Sequence, residues 1–501
     1  MKIIVQAGGM GTRLEGLTKN KPKCLVSVRG LPIIFYLFKK FPEADFIIIA
    51  DYKSEVLEKY LSIFGNSYKH TIVKTDKKGT AAGIKSALNL INDDEQFLII
   101  WSDLILSENF AIPSENSNYV GISKDFECRW SYINGKFLSN PSKDNGVAGL
   151  FVFKDKKILK DIPDDGPFVR WLSEYDKIDF HCLNLNGTKE IGTILAYTDN
   201  NTPQKICRPF NSIEFNGDVV IKKTIDSKGE KIAQNEINWY KHVKGTGYQY
   251  IPEIYQYEPL TMKRVNGKNI FEYECLSKSQ KKEILSNIIE ALDTLHNMEP
   301  ARKANIEDVN LIYITKTFDR LMQVKDLIPF ADDEFIKINN QYYKNILFYR
   351  KEFEDAVKRF LPAEFRLIHG DCTFSNIMFD TFDMKTVFID PRGYFGNTLL
   401  YGDVDYDWAK LYYSIAGNYD QFNLKRFQLY INERNVEFEI NSNNWTDMED
   451  VFFEKIGIKN LTKIKLLHSL IWLSLTTYAW DDYDSICGAF YNGIIKLNEV
   501  L

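Results

Sequence analysis

Short apolar segments alternate with amphipathic stretches over the first 105 residues, and this alternation restricts the fold more than any other feature of the chain. Strands and helices are predicted in turn at 2–6, 31–41, 46–50, 54–61, 71–75, 80–91 and 97–102. Strands that are apolar throughout and are joined by helices are typical of a parallel sheet covered on both faces. We therefore expect a doubly wound α/β fold for the N-terminal part of the chain.

The length of the chain, 501 residues, exceeds that of one ordinary domain. The turn-rich segment Asp-Asn-Asn-Thr-Pro at 199–203 predicts a boundary between domains at 1–203 and 204–501. Beyond it, Asn216 and Gly217 separate two strand-like runs, which is a strong hairpin signal. From about residue 277 the pattern is mainly helical, apart from strand-like segments beside His369 and Asp390.

Composition and charge narrow the range of functions. A net charge of −5 does not favour a nucleic-acid partner, which normally requires a basic surface. The sequence contains no apolar run of about 18 residues, so we expect no membrane insertion. The seven cysteines are scattered without a Cys-x-x-Cys pair, which favours free thiols in a reducing cytoplasm. We therefore expect a cytoplasmic protein with small-molecule substrates, and the sequence leaves open whether it forms a homo-oligomer.

A glycine-rich loop follows the first predicted strand. Gly8, Gly9 and Gly11 allow phosphate groups to approach the backbone closely, and Arg13 and Lys23 add positive charge. The loop lacks the Gly-Lys-Ser/Thr ending of a Walker A sequence and the third glycine of a dinucleotide fingerprint. Ligands of parallel sheets bind beyond the carboxyl ends of the strands, where both this loop and Asp103 fall.

The stretch Ala-Gly-Gly-Met-Gly-Thr-Arg-Leu at 7–14, followed by Lys-Pro-Lys at 21–23, resembles the signature of the nucleotidyltransferases that act on sugar 1-phosphates and on phosphocholine. The resemblance covers about residues 1–200 and implies a Rossmann-like domain. It implies attack of a substrate phosphate on the α-phosphorus of a nucleoside triphosphate, with release of pyrophosphate. Gly8, Gly9, Gly11 and Thr12 would then bind the nucleotide, and Arg13 and Lys23 would neutralise its triphosphate.

The same resemblance assigns further roles in this domain. Asp103 matches the magnesium-binding aspartate, and Glu190, in Glu-Ile-Gly-Thr at 190–193, replaces the aspartate expected as second metal ligand. Lys143 is a candidate contact for the acceptor phosphate. Gln6 and Gly83 occupy positions that often contact the base, although Gly83 also suits a helix packed close to the sheet.

A second motif, His-Gly-Asp at 369–371 with an asparagine five residues after Asp371 and then Asp390, resembles the aminoglycoside phosphotransferase and choline kinase family. It implies a bilobal, protein-kinase-like α+β domain, with a small lobe at about 204–270 and a helical large lobe at about 271–501. Asp371 would orient the acceptor hydroxyl and take its proton, and Asn376 and Asp390 would hold Mg²⁺ on the phosphates of ATP.

The small lobe and the C-terminal tail carry further candidates. Strand alternation favours Lys222 over Lys223 as the ATP lysine, and Glu236 is its candidate ion-pair partner. Trp480, Asp481 and Asp482 belong to an aromatic and acidic cluster that suits a cationic acceptor. A packed helical core is the alternative explanation of this cluster.

Together these patterns predict a bifunctional enzyme. It would phosphorylate a small alcohol or sugar with ATP and then transfer a nucleoside monophosphate from an NTP, with CTP slightly favoured, to that phosphate. The product would be a nucleotide-activated precursor of a bacterial surface polysaccharide, a destination inferred from the resemblance and the domain pairing. An amino alcohol, a sugar and a polyol all remain open as acceptor. The alternative is a single active kinase with a regulatory or nucleotide-binding N-terminal domain.

Overall fold

The computed structural model describes residues 1–175, 177–201, 211–224, 227–458 and 461–501. It separates into two compact units. Unit 1 comprises Met1–Thr202 together with Trp480–Asp484, and unit 2 comprises Pro203–Ala479 and Ser485–Leu501. Within the described ranges, no helix combines the length and the apolar character needed to cross a membrane.

Unit 1 is built on a mixed β-sheet. Its main path runs in the order Lys136–Leu138, Ser131–Ile133, Gly146–Phe153, Phe97–Trp101, Lys2–Gln6, Asp45–Ile49 and His70–Val73. The last four of these strands are parallel, which confirms the sequence prediction. Gly146–Phe153 is antiparallel to its neighbour, and Tyr119–Ser123 and His181–Asn184 extend the sheet beside it.

The helices of unit 1 connect these strands. They are Ile33–Lys40, Ser54–Phe64, Thr80–Leu88, Phe168–Glu174 and Ile194–Asn200. The first begins two residues later than predicted, because Leu31–Pro32 pairs with Ser27–Val28 as a short antiparallel ladder. The central strands are buried between the helices, with Ile3, Ile4 and Val5 fully covered. The predicted α/β class of this unit is therefore confirmed.

A four-stranded antiparallel sheet forms the small lobe of unit 2. Its strands are ordered Asn211–Asn216, Val219–Thr224, Leu260–Lys263 and Ile254–Tyr257, and helix Ser227–Gly245 accompanies them. The first two form the predicted hairpin, in which Asn216 faces Val219. Gly217 sits in the turn with a φ of 58°, a conformation that favours glycine.

The rest of unit 2 is mainly helical, as predicted. Its helices are Lys278–His296, Ile306–Asn310, Lys316–Val324, Arg350–Arg359, Val404–Ile415, Tyr419–Asn423, Glu449–Ile456, Leu461–Leu475 and Tyr483–Asn498. The Asp371 loop, residues 368–376, lies between strand Glu364–Leu367 and the hairpin Ile377–Asp380 and Lys385–Phe388.

Sequence analysis missed one sheet in this helical part. Its strands are ordered Gln341–Lys344, Phe335–Ile338, Val436–Ile440 and Phe427–Ile431. A single parallel pairing, between Ile338 and Val436, joins its two hairpins across almost a hundred residues. Pairing between strands so far apart in the sequence gives no local signal of which strands are partners. Each strand shows only a short alternation of buried and exposed residues.

Candidate active sites

The glycine loop of unit 1 is held tightly at both ends and is open in its middle. A Cβ atom on Gly8 would lie 2.4 Å from Oδ2 of Asp51, so a side chain there would displace this carboxylate. Gly11 has a φ of 65° and caps the 3₁₀ helix Thr12–Thr18. A Cβ atom on Gly9 would meet nothing within 4 Å. Gly9 therefore presents bare backbone to a ligand, and the exposed Thr12 follows at the start of the helix.

This loop borders a cleft of about 290 Å³ at the carboxyl ends of the parallel strands. The cleft is lined by Gln6, Gly8, Gly9, Lys23, Asp51, Gly79, Thr80, Trp101, Ser102 and Asp103. The ammonium group of Lys23 contacts the carboxylate of Asp103. Within the part of the chain that the structure describes, the buried Oε1 atom of Gln6 has no hydrogen-bond partner. A ligand in the cleft therefore meets a charged pair and an available amide acceptor.

Glu190 and Asp103 lie side by side although 87 residues separate them in the sequence. The short strand Lys189–Glu190 pairs with Leu104–Ile105, and Ile191 donates a hydrogen bond of 2.8 Å to the carbonyl of Asp103. Burial and the negative charge of Asp103 raise the pKa of Glu190. Two carboxylates held together in this way favour a divalent cation, and oxygen ligands suit Mg²⁺.

The positive side chains of the loop face the same acids. Nη2 of Arg13 lies 3.5 Å from Oε1 of Glu190, and the Arg13 side chain is 65% exposed. Gly192 allows this arrangement, since a Cβ atom there would lie 2.1 Å from Oε1 of Glu190 and 3.1 Å from Nη2 of Arg13. Arg13, Lys23, Asp103 and Glu190 therefore converge, as their expected roles require.

Gly83 and Lys143 lie elsewhere in unit 1. A Cβ atom on Gly83 would lie 2.4 Å from Cγ2 of Ile49, so glycine is needed there to pack helix Thr80–Leu88 against the sheet. This packing explains the residue without a base contact. Lys143 is exposed in the bend before strand Gly146–Phe153.

The aromatic and acidic segment around residue 480 differs from its expected placement in the acceptor pocket of the kinase. Trp480, Asp481 and Asp482 lie in unit 1, where the Trp480 ring packs 5.5 Å from that of Phe35. Asp482 accepts a hydrogen bond of 2.6 Å from Lys21, and Asp481 accepts one of 3.3 Å from a serine. The segment thus contributes packing and buried charge pairs to unit 1.

Asp407 holds the Asp371 loop in place. Its carboxylate is fully buried and accepts hydrogen bonds of 2.8 Å from the amide of His369 and 2.7 Å from the amide of Gly370. His296 lies 3.1 Å from the same carboxylate. Burial lowers the pKa of His369, whose Nδ1 atom accepts from the amide of Asp371. These hydrogen bonds fix the backbone that carries Asp371.

The side chain of Asp371 is itself held by two neighbours. Nδ2 of Asn376 donates to the backbone carbonyl of Asp371 at 2.7 Å and to its Oδ2 atom at 3.1 Å. Nζ of Lys410 lies 3.0 Å from Oδ1 of Asp371. With Nδ2 engaged, the Oδ1 atom of Asn376 is the one left to face a metal ion.

Lys222 lies on strand Val219–Thr224 of the small lobe and contacts Asp390, which follows strand Lys385–Phe388. Its Nζ atom lies 2.7 Å from Oε2 of Glu236 and 2.9 Å from Oδ1 of Asp390. Burial alone would lower the pKa of Lys222, but the two carboxylates outweigh it and raise the value. Lys223 points elsewhere and pairs with the exposed Glu214 at 2.8 Å. The structure thus pairs Lys222 with Glu236, the partner expected from the sequence, and adds a contact with Asp390 that the sequence did not indicate.

Asn376 and Asp390 offer oxygen ligands that suit Mg²⁺. The amide of Ile389 donates to the carbonyl of Asn376 at 2.9 Å, which keeps the two segments adjacent. In the described ranges, no cluster of three or more His, Cys, Asp or Glu side chains is arranged to hold a metal alone. A magnesium ion in either unit would therefore complete its coordination with phosphate oxygens and water.

Four cations near Asp371 were not assigned a role from the sequence. They are Lys316, Arg320, Arg392 and Lys410, and we refer to them as the cation cluster. Lys316 and Arg320 stand one turn apart on helix Lys316–Val324, and Lys410 comes three residues after Asp407. Spacing of this kind is common on solvated helices, so no signal in the sequence distinguished these residues.

Two family models match the chain. Residues 2–115 match the nucleotidyl transferase family, and residues 221–436 match the phosphotransferase enzyme family. The chain thus carries a nucleotidyl transferase segment and a phosphotransferase segment. The expectation of two transferase families in one chain, with an α/β nucleotidyltransferase unit and a kinase-like unit, is confirmed.

Individual relatives match only part of the chain. Glucose-1-phosphate cytidylyltransferase of Salmonella typhimurium is 31% identical over 132 residues, covering 21% of this chain and 50% of the relative. Bifunctional protein GlmU of Methanocaldococcus jannaschii is 25% identical over 253 residues, covering 47% of this chain and 58% of the relative. The chain thus spans about half the length of these two curated relatives.

A solved structure, that of CTP:phosphocholine cytidylyltransferase from Streptococcus pneumoniae, aligns with 40% of this chain and 96% of its own length. The sequence identity is 21% and the TM-score is 0.35.

Proposed function

We propose that the chain is a bifunctional enzyme that makes a nucleotide-activated compound in two steps. Unit 2 phosphorylates a small hydroxylated acceptor with ATP, and unit 1 transfers a nucleoside monophosphate to the new phosphate group. The observation that carries this proposal is that each unit has its own convergent set of phosphate-binding and acidic residues: Arg13, Lys23, Asp103 and Glu190 in unit 1, and Lys222, Asp371, Asn376 and Asp390 in unit 2.

In unit 2, Lys222 binds the phosphates of ATP and Glu236 keeps its ammonium group in position. The oxygen of the acceptor hydroxyl bonds to the γ-phosphorus of ATP, and ADP leaves. Asp371 receives the proton of this hydroxyl. Asn376 and Asp390 would hold Mg²⁺, which neutralises the charge on the phosphates. Lys410 orients the carboxylate of Asp371 before the acceptor binds.

In unit 1, the loop backbone around Gly9 receives the triphosphate, and Arg13 and Lys23 offset its charge. An oxygen of the acceptor phosphate attacks the α-phosphorus, the bond to the β-phosphate oxygen breaks, and pyrophosphate leaves. Asp103 and Glu190 would hold Mg²⁺, which would supply positive charge against the phosphates. CTP is the first nucleotide to test, with Gln6 as the residue that meets the base.

The destination of the product follows from the pairing of the two activities. A kinase and a nucleotidyltransferase acting in sequence convert a free alcohol or sugar into an activated donor. We propose that this donor serves the synthesis of a bacterial surface polysaccharide in the cytoplasm. Lys143 remains the proposed contact for the acceptor phosphate in unit 1.

The test is a mass-spectrometric screen of the full chain with ATP, Mg²⁺, the other common NTPs and a panel of alcohols, sugars and hydroxy acids. A product of acceptor plus phosphate plus nucleoside monophosphate is expected. Asp371→Asn should stop the first step but leave the second intact when the acceptor phosphate is supplied, and Asp103→Ala should stop only pyrophosphate release. A wild-type product that ends at the acceptor phosphate would favour the alternative, a kinase with a regulatory N-terminal unit.

A further inference from the structure

The side of Asp371 that faces its acceptor is bordered by positive charge. Lys410 lies 3.0 Å from Oδ1 of Asp371. Arg392, which comes two residues after Asp390, donates a hydrogen bond of 3.2 Å to the hydroxyl of Tyr406. Nζ of Lys410 lies 5.9 Å from the centre of the same Tyr406 ring. Lys410 and Arg392 therefore converge on one aromatic wall next to Asp371.

A second pair of cations approaches the same place from another helix. Arg320 donates to the carbonyl of Ser474 at 2.7 Å, and its guanidinium lies 4.4 Å from the ring of Tyr478. Lys316 precedes it by one turn. Burial, followed by the positive charges of Arg392, Arg320 and Lys410, lowers the pKa of Lys316 well below its usual value. Lys316 thus lies within electrostatic reach of the other three members, and the positive charge of the cluster rests mainly on Arg320, Arg392 and Lys410.

The cluster carries more positive charge than the protein neutralises. Over the ranges that the structure describes, Asp371 is the one carboxylate within ion-pair distance of any of the four cations. The aromatic rings around them supply hydroxyl and π contacts, which do not cancel charge. Half-buried like charges repel each other and are unfavourable unless a bound anion compensates them.

The phosphates of ATP do not account for this surplus. Lys222 is the residue proposed to bind these phosphates. Its carboxylate partners, Glu236 and Asp390, lie with it on the nucleotide side of the site. Lys316 and Arg320 come instead from a helix of the large lobe, and Lys410 touches the residue that takes the acceptor proton. The surplus charge therefore lies on the acceptor side.

We propose that the phosphoryl acceptor of unit 2 is an anion, namely an alcohol that carries a carboxylate or phosphate group, such as a hydroxy acid or a uronic acid. The cation cluster binds the anionic group while a hydroxyl of the same molecule faces Asp371. The proposal rests on the proposed kinase function and narrows its substrate class. It replaces a cationic amino alcohol, whose ammonium group the cations Arg320, Arg392 and Lys410 would repel.

Acceptors matched in size but different in charge test the proposal. The full chain is assayed with ATP and Mg²⁺ on glycerol, glycerate and glycerol 3-phosphate, on galactose and galacturonate, and on choline, with phosphorylated product measured by mass spectrometry. The anionic member of each set should have a kcat/KM at least about tenfold higher than the neutral one. Glycerate and glycerol 3-phosphate distinguish a carboxylate from a phosphate site. Preference for glycerol, galactose or choline would overturn the inference and leave the kinase function standing.

Arg320→Gln removes one charge of the cluster, and Arg359→Gln removes an exposed charge of the same unit as a matched control. Arg320→Gln should raise KM for the anionic acceptor about 10–100-fold, the loss of a hydrogen bond to a charged group, while the KM for ATP stays unchanged. Arg359→Gln should match the wild type. Equal effects of the two variants would contradict a specific anion site.

Binding of the acceptor is measured separately, so that its charge preference can be determined even if no phosphorylated product forms. Ligand-observed NMR with ADP and Mg²⁺ present should detect glycerate, but not glycerol, bound to the wild type and to Arg359→Gln, and weaker binding to Arg320→Gln. Absence of any phosphorylated product together with this binding pattern would refute the kinase function alone. Absence of charge-selective binding would refute the anionic acceptor.

Discussion

Replacing Lys222 by methionine should have consequences that replacing its neighbour Lys223 does not. The Lys222 side chain is 10% exposed and contacts Glu236, which is 4% exposed, and Asp390. Lys223 pairs with Glu214 at the surface, where the two side chains are 46% and 54% exposed. The two variants remove the same group from adjacent positions of one strand, so they differ mainly in burial and partners.

The expected magnitudes follow from this difference in burial. Removing one partner of a buried ion pair costs about 3–5 kcal/mol, because the remaining charge stays uncompensated. Asp390 is 34% exposed, and water therefore offsets part of the loss. We expect the free energy of unfolding of unit 2 to fall by about 3 kcal/mol in Lys222→Met. An exposed pair contributes about 0–1 kcal/mol, so Lys223→Met should fall by less than that.

Urea denaturation of the full chain measures both values. The transition of unit 2 is identified as the one that ATP and Mg²⁺ shift to higher urea concentration. Lys222→Met should also lose at least about 100-fold in kinase turnover, the usual cost of removing one oriented donor to developing charge. Pyrophosphate release by unit 1 from a supplied acceptor phosphate should not change. Equal losses of stability and turnover in the two variants would refute the assignment of Lys222.

Three further predictions address other features of the structure. Gly11→Ala should destabilise unit 1 by about 1–2 kcal/mol, because Gly11 has a φ of 65°, which is strained for a residue with a Cβ atom, whereas Gly9→Ala should fold normally and raise only KM for the NTP; similar melting curves for both would contradict this. Burial raises the pKa of Asp420 to about 6 from 3.8, so the folded state binds this proton more tightly and stability falls as pH rises from about 4 to about 6. Asp420→Asn should abolish that fall in urea titrations and stabilise unit 2 at pH 7 by about 2–3 kcal/mol, and a persistent fall would exclude Asp420 as its source. Asp407→Asn should raise the rate of hydrogen exchange at the amides of His369 and Gly370, which donate to this carboxylate, by about tenfold or more. Unchanged exchange rates would show that the loop does not depend on Asp407.

Much of unit 1 was predictable because its information is local. Apolar runs of strand length and the helices between them predict parallel pairing without any knowledge of partners. The glycine loop is partly local, since Gly11 is favoured by the φ of 65° of its own position, whereas the close neighbour of Gly8 is the distant Asp51. The alternation of side chains along one strand likewise separated Lys222 from Lys223.

Other features depend on contacts that no local pattern encodes. Glu190 reaches Asp103 through a two-residue ladder, and the resemblance alone suggested that pairing. The acidic tail around Asp482 was expected beside the acceptor, yet the structure pairs it with Lys21 in unit 1. The sequence does not distinguish a carboxylate that is exposed on the surface from one that is buried and paired with a lysine.

The sequence by itself indicated the two proposed chemistries, because their motifs consist of residues at fixed short spacings. The Asp371 loop is an example, since Asp371 and Asn376 are five residues apart. Only the tertiary structure decided the charge of the acceptor side. Arg320, Arg392 and Lys410 come from separate elements, and only the fold brings these positive charges together at one place, where a bound anion would compensate them.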